Sequence, residues 1–479
     1  MSDCCSDQHV SASGKADLLV VGGGSAAFAA ALKAQELGAG VTLINDGLPT
    51  GGTCVNVGCV PSKTLIRASE AHHRAAHHNF AGIESKSRVT DFNAIISQKR
   101  DLVRELRQQK YVDVISDLPG IQLIKGRARL TSANSAEVNG QSITADHVLL
   151  ATGARPLIPP IPGLKDSGYL TNETAFELQE LPESLIVLGG RYVALESAQL
   201  FARLGSRVTI VQRSSRILPT ETPDITGALT GYLQEEGIEV LTGVSIDSVN
   251  RGENEVIVQA QVSGTAQSLR ATHVLVATGR QPNTDRMRLE SIGVDLDPRG
   301  FLKVDATLQT NIDGIYGAGD VIGEPMYVYS AAYEGALAAE NAIAGGAKPR
   351  DYTALPWVIF TDPQMAGVGM DEQQAAEKGI EAEVAKLPLS QVPRSLAGRD
   401  TRGFIKLVRD RDTDRLVGAR ILAPEGSELL MEISLAIKFG ITVKQLTSSF
   451  HPYLTLSEGV KLAAIAFEKD VGKLSCCAA

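Results

Sequence analysis

Two stretches of this chain share one layout. ADLLVVGGGSAAFAAALKAQELGAGVTLIND (16–46) and SLIVLGGRYVALESAQLFARLGSRVTIVQRSSR (184–216) each run apolar strand, glycine turn, small-residue helix, apolar strand. Parallel strands need a crossover helix, and strands buried on both faces read as unbroken apolar runs. Each stretch is therefore expected as a βαβ unit, which commits the chain to an α/β fold. In the first unit Gly22, Gly24 and Ala27 fit G-x-G-x-x-A. The glycines permit a tight turn and close approach to a pyrophosphate, which sits at the helix N-terminus. In the second unit Gly189 and Ala194 hold the outer places and Arg191 stands where the middle glycine belongs. Taken alone, that degraded pattern suits a plain crossover as well as a nucleotide site.

The ends of the second strands refine this. The first unit ends in Asn45-Asp46, either of which can meet a ribose hydroxyl. The second ends in Gln212-Arg213, with Arg216 close behind. No carboxylate stands there for a free 2′-hydroxyl, and two cations suit a 2′-phosphate, which favours NADPH over NADH. HVLLATGARP (147–156) and HVLVATGRQPN (273–283) are apolar strands ending in ATG, expected to close the two units. TNIDGIYGAGD (310–320) adds a strand and a glycine turn ending at Asp320. Two dinucleotide sites in one chain suggest that electrons pass from one cofactor to another.

A length of 479 residues suggests about three domains. After SAAYEGALAAENAIAGG (330–346) the character changes to strands, turns and late helices with no nucleotide fingerprint, which reads as a docking or dimerisation domain. The net charge of −9 argues against nucleic acid as the main partner. No apolar run is long enough for a membrane span, and residues 1–15 hold no apolar signal region. The expectation is a cytoplasmic protein, where structural disulfides are rare, with a disordered tail over 1–15.

Against that background the six cysteines are informative, because they fall in three close pairs: Cys4/Cys5, Cys54/Cys59 and Cys476/Cys477. A bridge between such neighbours closes almost no loop, so the spacing points to redox or metal chemistry. Cys54 and Cys59 lie where a helix is expected to start, which favours the thiolate, and Lys63 follows one turn later. A zinc cage needs further ligands, and none lies close in sequence. His73 and His77 are spaced i, i+4, but without a third ligand a solvated helix face is the better reading.

GGTCVNVGCVPSK (51–63), the two fingerprints, the ATG repeats and GIYGAGD resemble the flavin-dependent pyridine nucleotide–disulfide oxidoreductases over residues 16 to about 470. The resemblance implies two Rossmann-like dinucleotide-binding domains, for FAD and NADPH, and a C-terminal α+β interface domain that forms a homodimer. FAD would take 16–155 and 281–350, NADPH 156–280, and the interface 351–470, with a mobile tail over 471–479. It implies Cys54 and Cys59 as the redox pair, with Lys63 near the flavin and paired to Glu196. It places Gly22, Gly24, Ala27, Asn45, Asp46, Gly47, Gly52, Thr53, Lys63, Ala128, Thr152, Gly153, Asp320 and Val328 along FAD. Gly189, Ala194, Arg213, Arg216 and Gly279 would line NADPH.

Within the family, SFHPYLTLSEGVKLAA (449–464), LSQVPRSLAGRDTRGFIKLV (389–408) and the ending KLSCC resemble the branch that reduces mercuric ions. Beside the HPT-x-x-E motif of the disulfide reductases, His451 and Glu458 remain at stretched spacing and Tyr453 stands near the threonine's place. The resemblance implies Hg(II), presented as a thiol complex, as substrate. Hg(II) is soft and prefers two sulfurs in a line. Cys476 and Cys477 would carry it to Cys54 and Cys59 of the other subunit. Tyr192 and Tyr453 would be donors near the metal, or Tyr192 a cover over the flavin. Cys4-Cys5 is either a second carrier or plain tail. The rival functions are a high-molecular-weight thioredoxin reductase, whose terminal cysteines pass electrons to a protein disulfide, and a non-catalytic metal-sequestering protein.

Overall fold

The computed structural model describes residues 16–285 and 287–475. Cys4, Cys5, Cys476 and Cys477 lie outside the described residues. The described chain divides into two units, and their make-up follows from which apolar faces meet.

The first unit holds residues 16–61, 99–156 and 280–350. Its parallel sheet runs Ile121–Lys125, Val41–Asn45, Ala16–Val21, Gln141–Leu150, Ile315–Gly317. The strand Gln141–Leu150 is long enough to serve twice. Its later half pairs Ala16–Val21 in parallel, and its earlier half closes an antiparallel meander with Ser135–Val138 and Arg129–Ser132. Leu18, Leu19 and Val20 are fully buried, as expected for a strand covered on both faces. On one face the helices Ser25–Glu36 and Val328–Ala344 cross so closely that a Cβ on Gly335 would fall 2.0 Å from the Ala26 carbonyl oxygen. The alanine run of the first helix makes that approach possible, since small side chains let the two axes draw together.

The second unit holds residues 62–98, 157–279 and 351–475. The second βαβ stretch forms a four-stranded parallel sheet, ordered Glu239–Leu241, Arg207–Val211, Ser184–Leu188, His273–Val276. A three-stranded antiparallel sheet spans Ser245–Ala271. A five-stranded antiparallel sheet runs Trp357–Ile359, Gln364–Gly369, Leu416–Ala423, Phe404–Asp410, Ala382–Pro388, with Leu430–Lys438 and Glu458–Ile465 among its helices.

Two boundaries differ from the sequence expectation. Residues 62–98 were assigned to the flavin domain, but Leu65, Ile66, Phe92 and Ile96 share one apolar core with Leu195, Ala198 and Phe201 of the second unit. Residues 471–473, expected within a tail, form an ordered turn instead. Val471 is buried in the interface-domain core, and the Asp470 carboxylate accepts from Gly472 N–H to close the turn.

A buried ionic cluster sits in the same unit. Arg203, from the second fingerprint helix, donates to Glu236 and Asp362, and Arg402 donates to Asp362 and Asp400. The Arg203 side chain is 2% exposed and that of Asp362 3%. Removing one member of such a set strands a buried charge at a cost of about 3–5 kcal/mol, so the cluster locks the helix Tyr192–Leu204 to the loop at 362.

Candidate active site

The parallel strands of the first unit end side by side, and the glycine turn, Asn45, Thr152 and Asp320 follow those ends. Gly22 has φ 141, and a Cβ there would lie 2.1 Å from the Ala151 carbonyl oxygen, so only glycine fits the turn. The next helix starts at Ser25 with no side-chain cap and no acid in its first turn. Its leading N–H groups and dipole are left for an external anion. Ala27 is fully buried under this turn and Ala128 is buried in the core on the sheet's other side.

Asn45 ends its strand with its side chain against Gly23 and its amide donating to the Leu48 carbonyl. Asp46 is tied instead to Arg127, whose Nε lies 2.6 Å from its Oδ2. Gly47 follows in the turn, and Gly52 and Thr53 open the helix Gly52–Asn56. The Thr152 hydroxyl is buried with no partner, beside Gly153. Burial pushes the Asp320 carboxyl above its ordinary value, against the Arg280 guanidinium 3.3 Å away. Behind it the fully buried Glu334 accepts from Gly319 N–H at 2.7 Å. Val328 opens the helix Val328–Ala344. A turn closed to any Cβ, an uncapped helix start and an orphaned hydroxyl together fit a bound dinucleotide such as FAD.

The dithiol stretch is attached to this cradle. Gly51 N–H donates to the Gly23 carbonyl at 2.7 Å. Cys54 sits in Gly52–Asn56, and Cys59 is the first residue of the helix Cys59–Ala76. Both are half-buried, and the positive end of the second helix favours an anion at Cys59. Asn56 braces the stretch by donating to the carbonyls of Pro49, Thr50 and Gly52. Its Oδ1 accepts from Arg107 at 3.3 Å. Tyr111 rises from a π-helical turn, Gln108–Val112, and its ring lies 3.1 Å from where a Gly51 Cβ would be. Nothing in RQQKYVDVI marks that tyrosine in sequence; only the folded π-turn singles it out.

In the second unit Gly189 repeats Gly22: φ is 124, and a Cβ would lie 2.3 Å from the Ala277 carbonyl oxygen. Arg191 is the N-cap of the helix Tyr192–Leu204, with no side-chain cap and no acid in the first turn, and Ala194 is fully buried. Gly279 follows the strand His273–Val276. These residues fit a second phosphate-bearing cofactor for the same steric reasons. Of the two expected phosphate-binding cations, Arg213 is exposed, and Arg216 donates through one terminal guanidinium nitrogen to the carbonyls of Pro219 and Glu221.

Lys63 and Glu196 meet at 2.6 Å, and the Glu196 Oε1 accepts from Phe360 N–H at 3.0 Å. The Lys63 ammonium also lies 4.6 Å from the Phe360 ring centroid. Tyr192 stacks on Trp357 with centroids 6.2 Å apart, and Tyr453 is half-exposed. His451 and Glu458 do not form a pair. His451 Nε2 lies 2.5 Å from Glu432 on the helix Leu430–Lys438, while Glu458 accepts from Leu454 N–H at 3.1 Å. The two extra residues after Pro452 carry Glu458 into the start of its own helix, and Glu432 fills the gap. His73 and His77 stack at 4.3 Å, and among the described residues no group of three donors fit for a metal is found.

This architecture, two uncapped fingerprint helices with a dithiol on the first cradle, defines the class. The chain belongs to the pyridine nucleotide-disulphide oxidoreductase family: residues 16–335 match it, and residues 355–464 match its dimerisation domain. Among named relatives, the chain is 44% identical to a mercuric reductase of Staphylococcus aureus over 97% of this chain and 85% of that protein. It is 45% identical to a mercuric reductase of Streptomyces lividans over 96% of this chain and 98% of that one. Among solved structures, it resembles the HOCl-induced flavoprotein disulfide reductase RclA of Escherichia coli in its Cu(II) complex. That match has a TM-score of 0.86 and 29% identity, covering 95% of this chain and 100% of the other. LpdA of Mycobacterium tuberculosis follows at TM-score 0.82 and 29% identity, covering 94% of this chain and 100% of the other.

Proposed function

We propose that this chain is an NADPH-dependent flavoenzyme that reduces Hg(II) to Hg(0). The observation that carries the reading is the near-full-length identity to mercuric reductases together with the dithiol stretch bonded to the first fingerprint turn. When bound, NADPH and FAD supply the two electrons that Hg(II) gains.

The residues then have separable tasks. The turn at Gly22 and Gly24 and the uncapped start at Ser25 hold the FAD pyrophosphate; Asn45, Thr152 and Asp320 meet its hydroxyls. The turn at Gly189 and the start at Tyr192 hold NADPH, with Arg213 for its 2′-phosphate. Cys54 and Cys59 hold the substrate as two thiolates, which bind a soft cation far better than oxygen or nitrogen donors do. Cys476 and Cys477 take Hg(II) from small thiols and exchange it, sulfur by sulfur, onto that pair. Lys63 keeps a positive charge fixed through Glu196. Tyr192 and Tyr453 serve as oxygen donors to the bound ion. Elemental mercury carries no charge for a thiolate to hold, so the product leaves.

A homodimer with shared sites completes the scheme. Met431 and Leu435 stand exposed one turn apart on the helix Leu430–Lys438 of the dimerisation domain, Phe439 at its C-terminal cap is exposed too, and Phe450 is fully exposed beside His451. Among the described residues no helix is long and apolar enough to cross a membrane.

The deciding experiment is the double variant Cys476→Ala/Cys477→Ala, assayed with NADPH and Hg(II) in excess thiol. Loss of turnover with intact reduction of the flavin by NADPH is expected. Unchanged turnover refutes the carrier role, and a Cys54→Ser protein that still evolves mercury vapour at the parental rate refutes the reading itself.

A further inference from the structure

We infer that Tyr111 is a positioning residue for the dithiol: its ring presses Gly51 against the first turn of the fingerprint helix and so fixes where Cys54 and Cys59 stand. The inference rests on the proposed role of that cysteine pair. Three observations within the first unit carry it. A Cβ at Gly51 would lie 2.3 Å from Val55 Cγ1 and 3.1 Å from the Tyr111 ring, so Val55 and Tyr111 together close the space at this glycine. Gly51 is the residue whose N–H bonds the fingerprint turn at Gly23. The ring packs edge-on to Phe28 with centroids 4.8 Å apart. Phe28 belongs to the first turn of the helix Ser25–Glu36. One side chain thus touches both the cradle helix and the segment that bears the sulfurs.

The backbone under Tyr111 fits this task. The helix Phe92–Arg107 continues into the π-helical turn Gln108–Val112, a widened geometry that concentrates at functional sites. Immediately before the turn, Arg107 donates to Asn56, which braces the dithiol stretch from the other end. Gln108, Gln109 and Lys110 are exposed, so the turn does not exist to bury them; Tyr111 is the residue it drives inward.

A positioning residue acts on the rate of the step it aligns and leaves capture of the substrate alone. Displacing a reacting group by about 1 Å costs up to about a hundredfold in rate. Tyr111→Phe keeps both ring contacts; Tyr111→Leu loses them. With NADPH and thiol-complexed Hg(II), kcat is expected to stay within about twofold of the parent in Tyr111→Phe and to fall more than about tenfold in Tyr111→Leu, with KM within about twofold of the parent in both. Amide hydrogen exchange over residues 50–58 of the holoprotein is expected to speed up in the same order, while bound FAD stays stoichiometric. Parental kcat in both variants overturns the inference. So does a raised KM at unchanged kcat, which would make Tyr111 a substrate contact, or loss of FAD, which would make it plain packing. Absence of Hg(II) reduction in the parent protein defeats the functional reading instead, and the exchange experiment still tests the clamp.

Discussion

Glu196→Gln tests an ion pair in the second unit that ties the helix Cys59–Ala76 to the second fingerprint helix. Glu196 makes two bonds, Lys63 Nζ at 2.6 Å on Oε2 and Phe360 N–H at 3.0 Å on Oε1. Glutamine keeps the acceptor for Phe360 and turns an NH₂ toward the ammonium, so one charged hydrogen bond is lost and two donors face each other. A charged hydrogen bond contributes about 1.5–3 kcal/mol when enclosed. The Lys63 side chain is 33% exposed and that of Glu196 9%, so water screens part of this and about 1–2 kcal/mol is the reasonable loss. At about 1.4 kcal/mol per factor of ten, Lys63 then leaves its place in most molecules. Stopped-flow reduction of the bound flavin by NADPH, without Hg(II), is expected to slow about tenfold. Lys63→Met should slow it to a similar degree, and the double variant should be little worse than either, because both remove one interaction. Parental flavin reduction in Glu196→Gln, or simple additivity in the double variant, refutes the reasoning.

Other consequences are as direct. Burial, and then Arg203, hold His73 down to about 4 against its ordinary 6.5, so as pH falls through that window the unfolded chain binds the proton first and stability is lost. After screening at this half-buried site the loss by pH 5 is about 1 kcal/mol, and His73→Gln should flatten the melting temperature between pH 7 and 5. Asn45→Ala should weaken FAD binding about tenfold in reconstitution of apoprotein, while Asp46→Ala should barely change it, because Asp46 is committed to Arg127. Arg213→Gln should lower the preference for NADPH over NADH about tenfold, whereas Arg216→Gln should leave it intact and lower the melting temperature, since Arg216 serves its own loop.

Those outcomes divide along the line between what local spacing writes and what packing writes. Both βαβ units were legible because strand, turn and helix follow one another within about thirty residues, and each step depends on near neighbours. Gly22 and Gly189 could be named because a backbone that tight admits no side chain whatever surrounds it. The helix starts near Cys54 and Cys59 were legible for the same local reason. The placement of residues 62–98 was not, because the apolar faces of two helices there fit either core equally well in sequence. Their burial against Leu195 and Phe201 is a tertiary choice. Arg216 is expected near the 2′-phosphate because a cation after a strand end is the usual sign of a ligand; only the fold reveals that it also bonds the carbonyls of Pro219 and Glu221.

His451 makes the same point. Its motif promised a carboxylate a few residues on, yet its partner is Glu432, nineteen residues earlier on a different helix. The insertion of Tyr453 and Leu454 explains why. A helix start fixes Glu458 by its bond to Leu454 N–H, so the longer loop pulls that carboxylate away from the imidazole and swings Tyr453 outward in its place. His451 and Glu458 thus answer to different partners, and the loop between them builds no carboxylate–imidazole pair of the kind the motif spacing suggests.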